Sequence, residues 1–264
     1  HKHNSQTLHF GDIETNYTLE KAAKVKEAAD LVADYVTHTK SKTPLYNLTH
    51  KMVLAVGAEE VATLEQRHKD FKSLFPNLRK INRREIGKLE PKILEGRDPK
   101  TPIIALLSKD GYAIDYGELS KSFTKQARNK DKKIDFFYKT NVKKITKTID
   151  GYQIQTHKGL IKAKVVVVAA GAHSLIFAQA LGYGKDLGLL PIAGSFFRSR
   201  RKLLNGKVYT LQMKKLPFAA IHGDPQVQNP NETRFGPTAK FLPILEAKKP
   251  SSFFDFLKTS SFTI

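Results

Sequence analysis

A chain of 264 residues with 40% hydrophobic content has enough material for one large or two ordinary domains with a folded core. Its 45 Lys and Arg against 25 Asp and Glu give a formal net charge of +20, which attracts polyanions, anionic membrane surfaces or small anionic substrates without choosing among them. With no Cys, disulfides, thiolate metal sites and cysteine nucleophiles are excluded, and no metal site is expected.

In chain order, Asn16-Tyr17-Thr18 leads into a helix ending near Thr39, with Thr18 as its N-cap. Val25, Ala28, Ala29, Val32, Tyr35 and Val36 form its apolar face. A strand over residues 52–56 closes at Gly57, and a helix over 58–75 stops at Pro76. Residues 103–107 and 112–115 read as two strands joined by a tight turn at Lys109-Asp110-Gly111. A helix over 117–127 follows, then strands over 134–138, 142–148, 152–156 and 160–169. Asp150-Gly151 and Lys158-Gly159 provide hairpin turns between the last three. A helix over 174–181 precedes strands near 192–198, 207–215 and 218–222, and the tail from Ser251 starts a helix. The uncharged stretch 165–184 imitates a membrane span. However, Gly171, His173, Ser174, Gln179 and Gly182 within it favour a strand, a turn and a helix.

The run Val165-Val166-Val167-Val168-Ala169-Ala170-Gly171 calls for burial on both faces, as in a central parallel strand. Gly171 then permits close backbone approach at the carboxyl end of that strand, where α/β sheets bind ligands, and Ser174 caps the next helix. A core strand with an ordinary turn accounts for the same residues. With the preceding meander, this segment resembles the second nucleotide-contact region of flavoproteins with two dinucleotide-binding regions. The resemblance places the backbone around Val142 beside adenine and brings Ala170 and Gly171 to the cofactor.

The opening His3-Asn4-Ser5-Gln6-Thr7-Leu8-His9-Phe10-Gly11, followed by Asn16-Tyr17-Thr18, is similar to the flavin-contacting segment of the amino- and hydroxy-acid oxidase superfamily. Glu95-Gly96-Arg97-Asp98-Pro99, Ile114-Asp115-Tyr116-Gly117-Glu118-Leu119 and Ile192-Ala193-Gly194-Ser195-Phe196 extend the match. So do Ala220-Ile221-His222-Gly223-Asp224 and Arg234-Phe235-Gly236-Pro237-Thr238-Ala239. In this order the motifs resemble the malate:quinone oxidoreductase family over nearly the whole chain. The resemblance implies a mixed α/β fold, in which an interrupted FAD-binding Rossmann-like domain alternates with an antiparallel-sheet substrate domain. The expected FAD-binding segments are 1–50 and 116–182, and the expected substrate segments are 51–115 and 183–264.

The Gly-x-Gly-x-x-Gly fingerprint of a dinucleotide site is absent. Gly182-Tyr183-Gly184 follows a helix and reads as its C-terminal cap. The expectation is therefore a fragment lacking both ends of the family's chain, with an incomplete nucleotide-binding sheet and a gap beside the strand over 165–169.

The resemblance implies oxidation of (S)-malate to oxaloacetate, with FAD as hydride acceptor and a membrane quinone as final acceptor. His222 is the first candidate for the base and His9 the second, since neutral imidazole suits proton abstraction near pH 7. Arg97 would clamp one malate carboxylate bidentately. Ser5, Gln6, Thr7, Val142, Ala170, Gly171, Gly236 and Pro237 are the expected cofactor contacts. The resemblance also implies a peripheral protein on the cytoplasmic face of the inner membrane. Arg198, Arg200, Arg201, Lys202, Lys214 and Lys215 are candidates for contact with anionic lipid. Two rival readings are an FAD-dependent L-2-hydroxyglutarate or related 2-hydroxy-acid dehydrogenase and a basic nucleic-acid-binding module. Against the second, no nucleic-acid motif and no interleaving of aromatics with basic runs is found, so nucleic acid is not an expected partner.

Overall fold

The computed structural model describes residues 5–128, 133–212, 220–226 and 229–260. The elements in chain order begin with α1 (Leu19–His38), β1 (Tyr46–Val56), α2 (Ala58–Phe71), β2 (Arg79–Asn82), α3 (Arg83–Leu89) and α4 (Pro91–Leu94). Next come β3 (Ile103–Ile114), α5 (Tyr116–Arg128), β4 (Val142–Thr148), β5 (Gly151–Thr156), β6 (Gly159–Ala163) and, after one 3-10 turn, α6 (Ser174–Ala180). The chain ends with β7 (Ile192–Ala193), β8 (Phe197–Ser199), β9 (Lys207–Thr210), β10 (His222–Gln226), β11 (Asn229–Gly236), β12 (Lys240–Phe241) and α7 (Ser252–Ser260).

Local chemistry explains the boundaries. Thr18 caps α1 by accepting from the Lys21 amide, and the helix buries Ala22, Ala29 and Val36. Asn82 and Glu85 form a reciprocal capping box at the start of α3. Asp115 Oδ1 accepts from the amides of Gly117 and Glu118, so part of the Ile114–Leu119 motif is a helix cap. Helix α2 ends at Phe71, before the expected stop at Pro76.

The chain divides into two compact units: His1–Lys132 with Ser195–Thr238, and Lys133–Gly194 with Ala239–Ile264. The chain crosses between them after residues 132, 194 and 238. The larger unit contains a seven-stranded sheet of order β2-β3-β1-β9-β10-β11-β8. Its pairs are antiparallel except β1 with β9. Helix α2 packs on one face of this sheet, with Leu64 and Phe71 against Val53, Ala55 and Leu106. Helices α3 and α4 cover the other face, where Ile86 meets Met52, Leu54, Ile81, Leu107 and Val208. In the smaller unit β4-β5-β6 form a meander and β7 pairs with β12. Ile145 is the one fully buried hydrophobic residue of that unit among those described.

Several expectations are corrected. Lys109-Asp110-Gly111 is no turn: β3 runs continuously and pairs with β1 along both halves. A register shift between Thr49 and Lys51 absorbs the irregularity. A Cβ on Gly111 would lie 2.4 Å from the Thr49 carbonyl oxygen, so glycine is needed there for close approach rather than for a reversal. Residues 134–138 form no strand. The strand expected over 160–169 ends at Ala163. Residues 165–169 join no ladder among the described residues, and Val165 and Val167 are 77% and 86% exposed. An apolar run becomes a central strand only with neighbours on both edges, and the described residues supply none. The expected incomplete parallel sheet with this strand inside it is therefore not formed. The expected strand over 192–198 is two short ones, β7 and β8, and that over 207–215 ends at Thr210, with residues 213–219 outside those described. His222 begins β10 rather than ending a strand.

Candidate active site

The site is built from strand alternation. In β9, Lys207 and Tyr209 point to one face and Val208 to the other. In β10, His222 and Asp224 share a face and Gly223 takes the opposite one. Cross-strand pairing aligns His222 with Tyr209 and Gly236, Asp224 with Arg234, and Lys207 with Lys51. One face of the sheet therefore carries Lys51, Lys207, Tyr209, His222, Asp224 and Arg234. The other carries Met52, Leu54, Val208 and Phe235, under α3 and α4.

The charged face is buried. Lys207 is 1% exposed and Asp224 fully enclosed. Arg234 donates to Asp224 Oδ2 at 2.8 Å and to the Ser5 carbonyl at 3.1 Å. Lys207 Nζ donates to Thr7 Oγ1 at 2.9 Å and lies 3.6 Å from Asp224 Oδ2. Lys51 pairs with Asp12 at 2.8 Å. Burial pulls the Lys207 ammonium down to about 8, against the attraction of Asp224. Enclosure of this kind is tolerated because charges are paired, yet two cations share the single carboxylate Asp224.

His222 stands at the centre of this face. Its ring stacks on Tyr209 at 4.5 Å and meets the edge of Phe196 at 5.4 Å. Burial lowers its pKa to about 4, so the imidazole is neutral at pH 7. Nδ1 lies 3.3 Å from the Ala220 carbonyl, an acceptor, which assigns the ring proton to Nδ1. Nε2 then presents its lone pair, and it has no hydrogen-bond partner. Asp224 Oδ1 and Arg234 Nε on the same face are also without one.

The other candidates are placed differently. Arg97 follows α4 on the apolar side of the sheet, exposed, with Nε donating to the Ile93 carbonyl at 3.0 Å. Arg97 and His222 both border a cavity of about 460 Å³ that Leu54, Leu204, Val208 and Phe235 line from the apolar face. By strand alternation the His222 ring points to the opposite face, with Tyr209. His9 is bound through Nδ1 to Glu14 at 2.6 Å. Burial raises the Glu14 pKa, but the bond from His9 and the nearby charges outweigh it and leave the carboxyl below its usual range.

Of the expected cofactor contacts, Thr7 is engaged within the protein. Its hydroxyl donates to the Ser5 carbonyl and accepts from Lys207 and Tyr209, which uses its full capacity. It fastens the opening segment to the sheet, helped by the Thr7–Ala113 bridge. Ser5 and Gln6 flank it, Gln6 at φ 59°. Gly236 and Pro237 close β11 opposite His222. In the smaller unit, Val142 and Ala170 line one cavity of about 730 Å³ with Asn141, Ile154 and His173, and Gly171 follows at φ 59°.

Sequence reasoning missed Lys207, Tyr209, Asp224 and Arg234 as site residues. The available signal was the i, i+2 alternation of Lys207 with Tyr209 and of His222 with Asp224 around small or apolar residues.

The chain is similar to known proteins over most of its length. Residues 3–263 match the family model described as malate:quinone oxidoreductase. The chain is 40% identical to a probable malate:quinone oxidoreductase of Campylobacter jejuni, over 97% of its length and 60% of that protein's. It is 41% identical to malate:quinone oxidoreductase of Helicobacter pylori, over 94% and 56% respectively. It thus spans about three fifths of the length of these curated relatives. Among solved structures, glycine oxidase from Geobacillus kaustophilus superposes with a TM-score of 0.70 at 15% identity, covering 99% of this chain and 67% of that one. L-α-glycerophosphate oxidase from Mycoplasma pneumoniae, solved with FAD bound, gives 0.64 at 19% identity, covering 97% and 67%. The fold is that of these flavoprotein oxidases, and the chain belongs to the malate:quinone oxidoreductase family.

Proposed function

We propose that the protein of which this chain forms part oxidises (S)-malate to oxaloacetate with FAD and passes the electrons to a membrane quinone. The observation that carries this reading is the His222 imidazole: buried, neutral, and with a free Nε2 on a cationic sheet face, in a chain of this family. His222 Nε2 takes the proton of the malate hydroxyl, and the stacked Tyr209 ring and the Ala220 carbonyl fix its orientation. The rest of the buried face excludes water from that proton transfer.

FAD, when bound, supplies the hydride acceptor. The residues present fit it in part. The cavity bounded by Val142 and Ala170 suits the adenosine, with Gly171 allowing close backbone approach. Ser5, Gln6, Gly236 and Pro237 are assigned to the flavin, and Thr7 only to holding their segment in place. The FAD-binding role of segments 1–50 and 116–182 and the substrate role of 51–115 and 183–264 belong to this same proposal.

The positive charge is assigned to a dianionic substrate and an anionic membrane surface rather than to nucleic acid. No helix among the described residues is long and apolar enough to cross a membrane. Exposed Arg200, Arg201 and Lys202 lie near Phe197, which is largely exposed, and would make the peripheral contact on the cytoplasmic face. Arg198 is held by Glu232 and Gln226 and contributes less. Lys214 and Lys215 lie outside the described residues.

Anaerobic addition of (S)-malate to the FAD-loaded protein tests the reading. The expected result is bleaching of the flavin absorbance, reversed by a short-chain quinone. Bleaching by L-2-hydroxyglutarate but not by malate would move the substrate to the related dehydrogenases.

A further inference from the structure

Lys207, Arg234 and Asp224 carry more charge than their mutual contacts satisfy. All three are buried, and by themselves they sum to one positive charge on the face that holds His222. A buried net charge is unfavourable unless an opposite charge arrives, and an anion reaching this face would be held by two ammonium- and guanidinium-type donors in low dielectric. One unpartnered donor points the same way. Arg234 Nε is buried without a hydrogen-bond partner, and native structures leave few such atoms without a use. An opening reaches Lys207. It lines a cavity of about 290 Å³ together with Thr49, Ala113, Asn205 and Gln226, with the exposed Lys202 also on its wall, while Arg234 and His222 lie outside that lining. That volume lies near the lower end of small-ligand sites.

We propose that Lys207 and Arg234 form the subsite for a carboxylate of the substrate, with Asp224 as the resident carboxylate that draws both cations to it and competes with the ligand for them. This rests on the malate reading and adds to it the side chains that take one carboxylate, on the same sheet face as the base. It replaces Arg97, which lies across the sheet. Asp224 accepts from Arg234 with Oδ2 and draws Lys207 towards the same oxygen, so both heads stay fixed when the ligand is absent. Thr7 takes one Lys207 proton and leaves two donors on the ammonium for an incoming carboxylate.

The alternative is purely structural: the cations only fasten the opening segment through Thr7 and the Ser5 carbonyl. The two accounts differ in the direction of a charge change. Calorimetric titration of the chain with (S)-malate, succinate and inorganic phosphate separates them, using Lys207→Met, Arg234→Met and Asp224→Asn with circular dichroism as the check on folding. In the subsite account each cation variant weakens malate and succinate by at least about tenfold. Asp224→Asn removes the competing negative charge and tightens both several-fold. Malate affinity within about twofold of wild type in both cation variants would overturn the subsite, as would loss of fold in all three variants. Equal dependence for phosphate, with no preference for dicarboxylates, would overturn the carboxylate assignment. Turnover separates the two proposals. Cation-dependent malate binding without flavin reduction would remove the malate reaction and keep the subsite. Normal turnover with unaltered malate binding in the variants would remove the subsite alone.

Discussion

The two faces of one sheet follow different rules. Towards α3 and α4, strands β1, β9 and β11 present Met52, Leu54, Val208 and Phe235, an apolar packing surface. Towards the opening segment, the alternate residues of β1, β9, β10 and β11 present Lys51, Lys207, His222, Asp224 and Arg234, almost equally buried. Period-2 alternation lets one backbone serve both purposes, since a change on one face leaves the other in register. The apolar face contributes stability by removing hydrocarbon from water, as does the part of the other face under α2, whereas the buried charges beside that part forfeit some stability to hold groups that can react. The difference predicts that stability and chemistry can be disturbed separately.

The largest effect is expected on the apolar face. Met52 is fully enclosed, and Met52→Ala should lower unfolding stability by about 2–5 kcal/mol in urea titration. The remaining folded fraction should keep its substrate affinity. A large loss of affinity at full folding would break the separation of the faces.

Acid should act through the other face. His222 has an ordinary value of 6.5 and a folded value of about 4, so between those values the unfolded chain binds the proton and the folded chain does not. Its contribution is fully present above pH 6.5 and is lost as pH falls to about 4, a decrease of about 3 kcal/mol. His222→Gln should remove this part of the pH dependence. An unaltered curve in that variant would show that His222 is not held neutral by burial.

The smallest effect is expected at Arg97. Because its loop lies on the apolar side, Arg97→Lys should change the KM for malate by less than about twofold, although it removes a planar fork. A rise of tenfold or more with kcat unchanged would bring Arg97 back as a substrate ligand.

Much of the framework was legible in the sequence. Helix α1 was readable because Thr18 caps it and apolar residues recur at helical spacing. The meander was readable because Asp150-Gly151 and Lys158-Gly159 are turns by their own chemistry, with both glycines at positive φ. What failed depended on distant partners. The valines at 165–168 have the composition of a central strand, but a strand exists only through its neighbours. Lys109-Asp110-Gly111 has turn composition, yet a long partner in β1 keeps β3 straight. His222 was identified from its motif, but its environment was not. In a chain with 45 Lys and Arg, nothing local marks Lys207 and Arg234 as buried. Their burial depends on the opening segment, where Thr7 accepts from Lys207 and the Ser5 carbonyl from Arg234.

The rate of flavin reduction by (S)-malate in the FAD-loaded protein, compared between wild type and His222→Ala, tests the central claim most directly. With FAD content unchanged, removal of the base should slow the step by about 10²–10⁴-fold. An unchanged rate at full FAD occupancy would contradict the assignment of the charged face as the place where malate reacts.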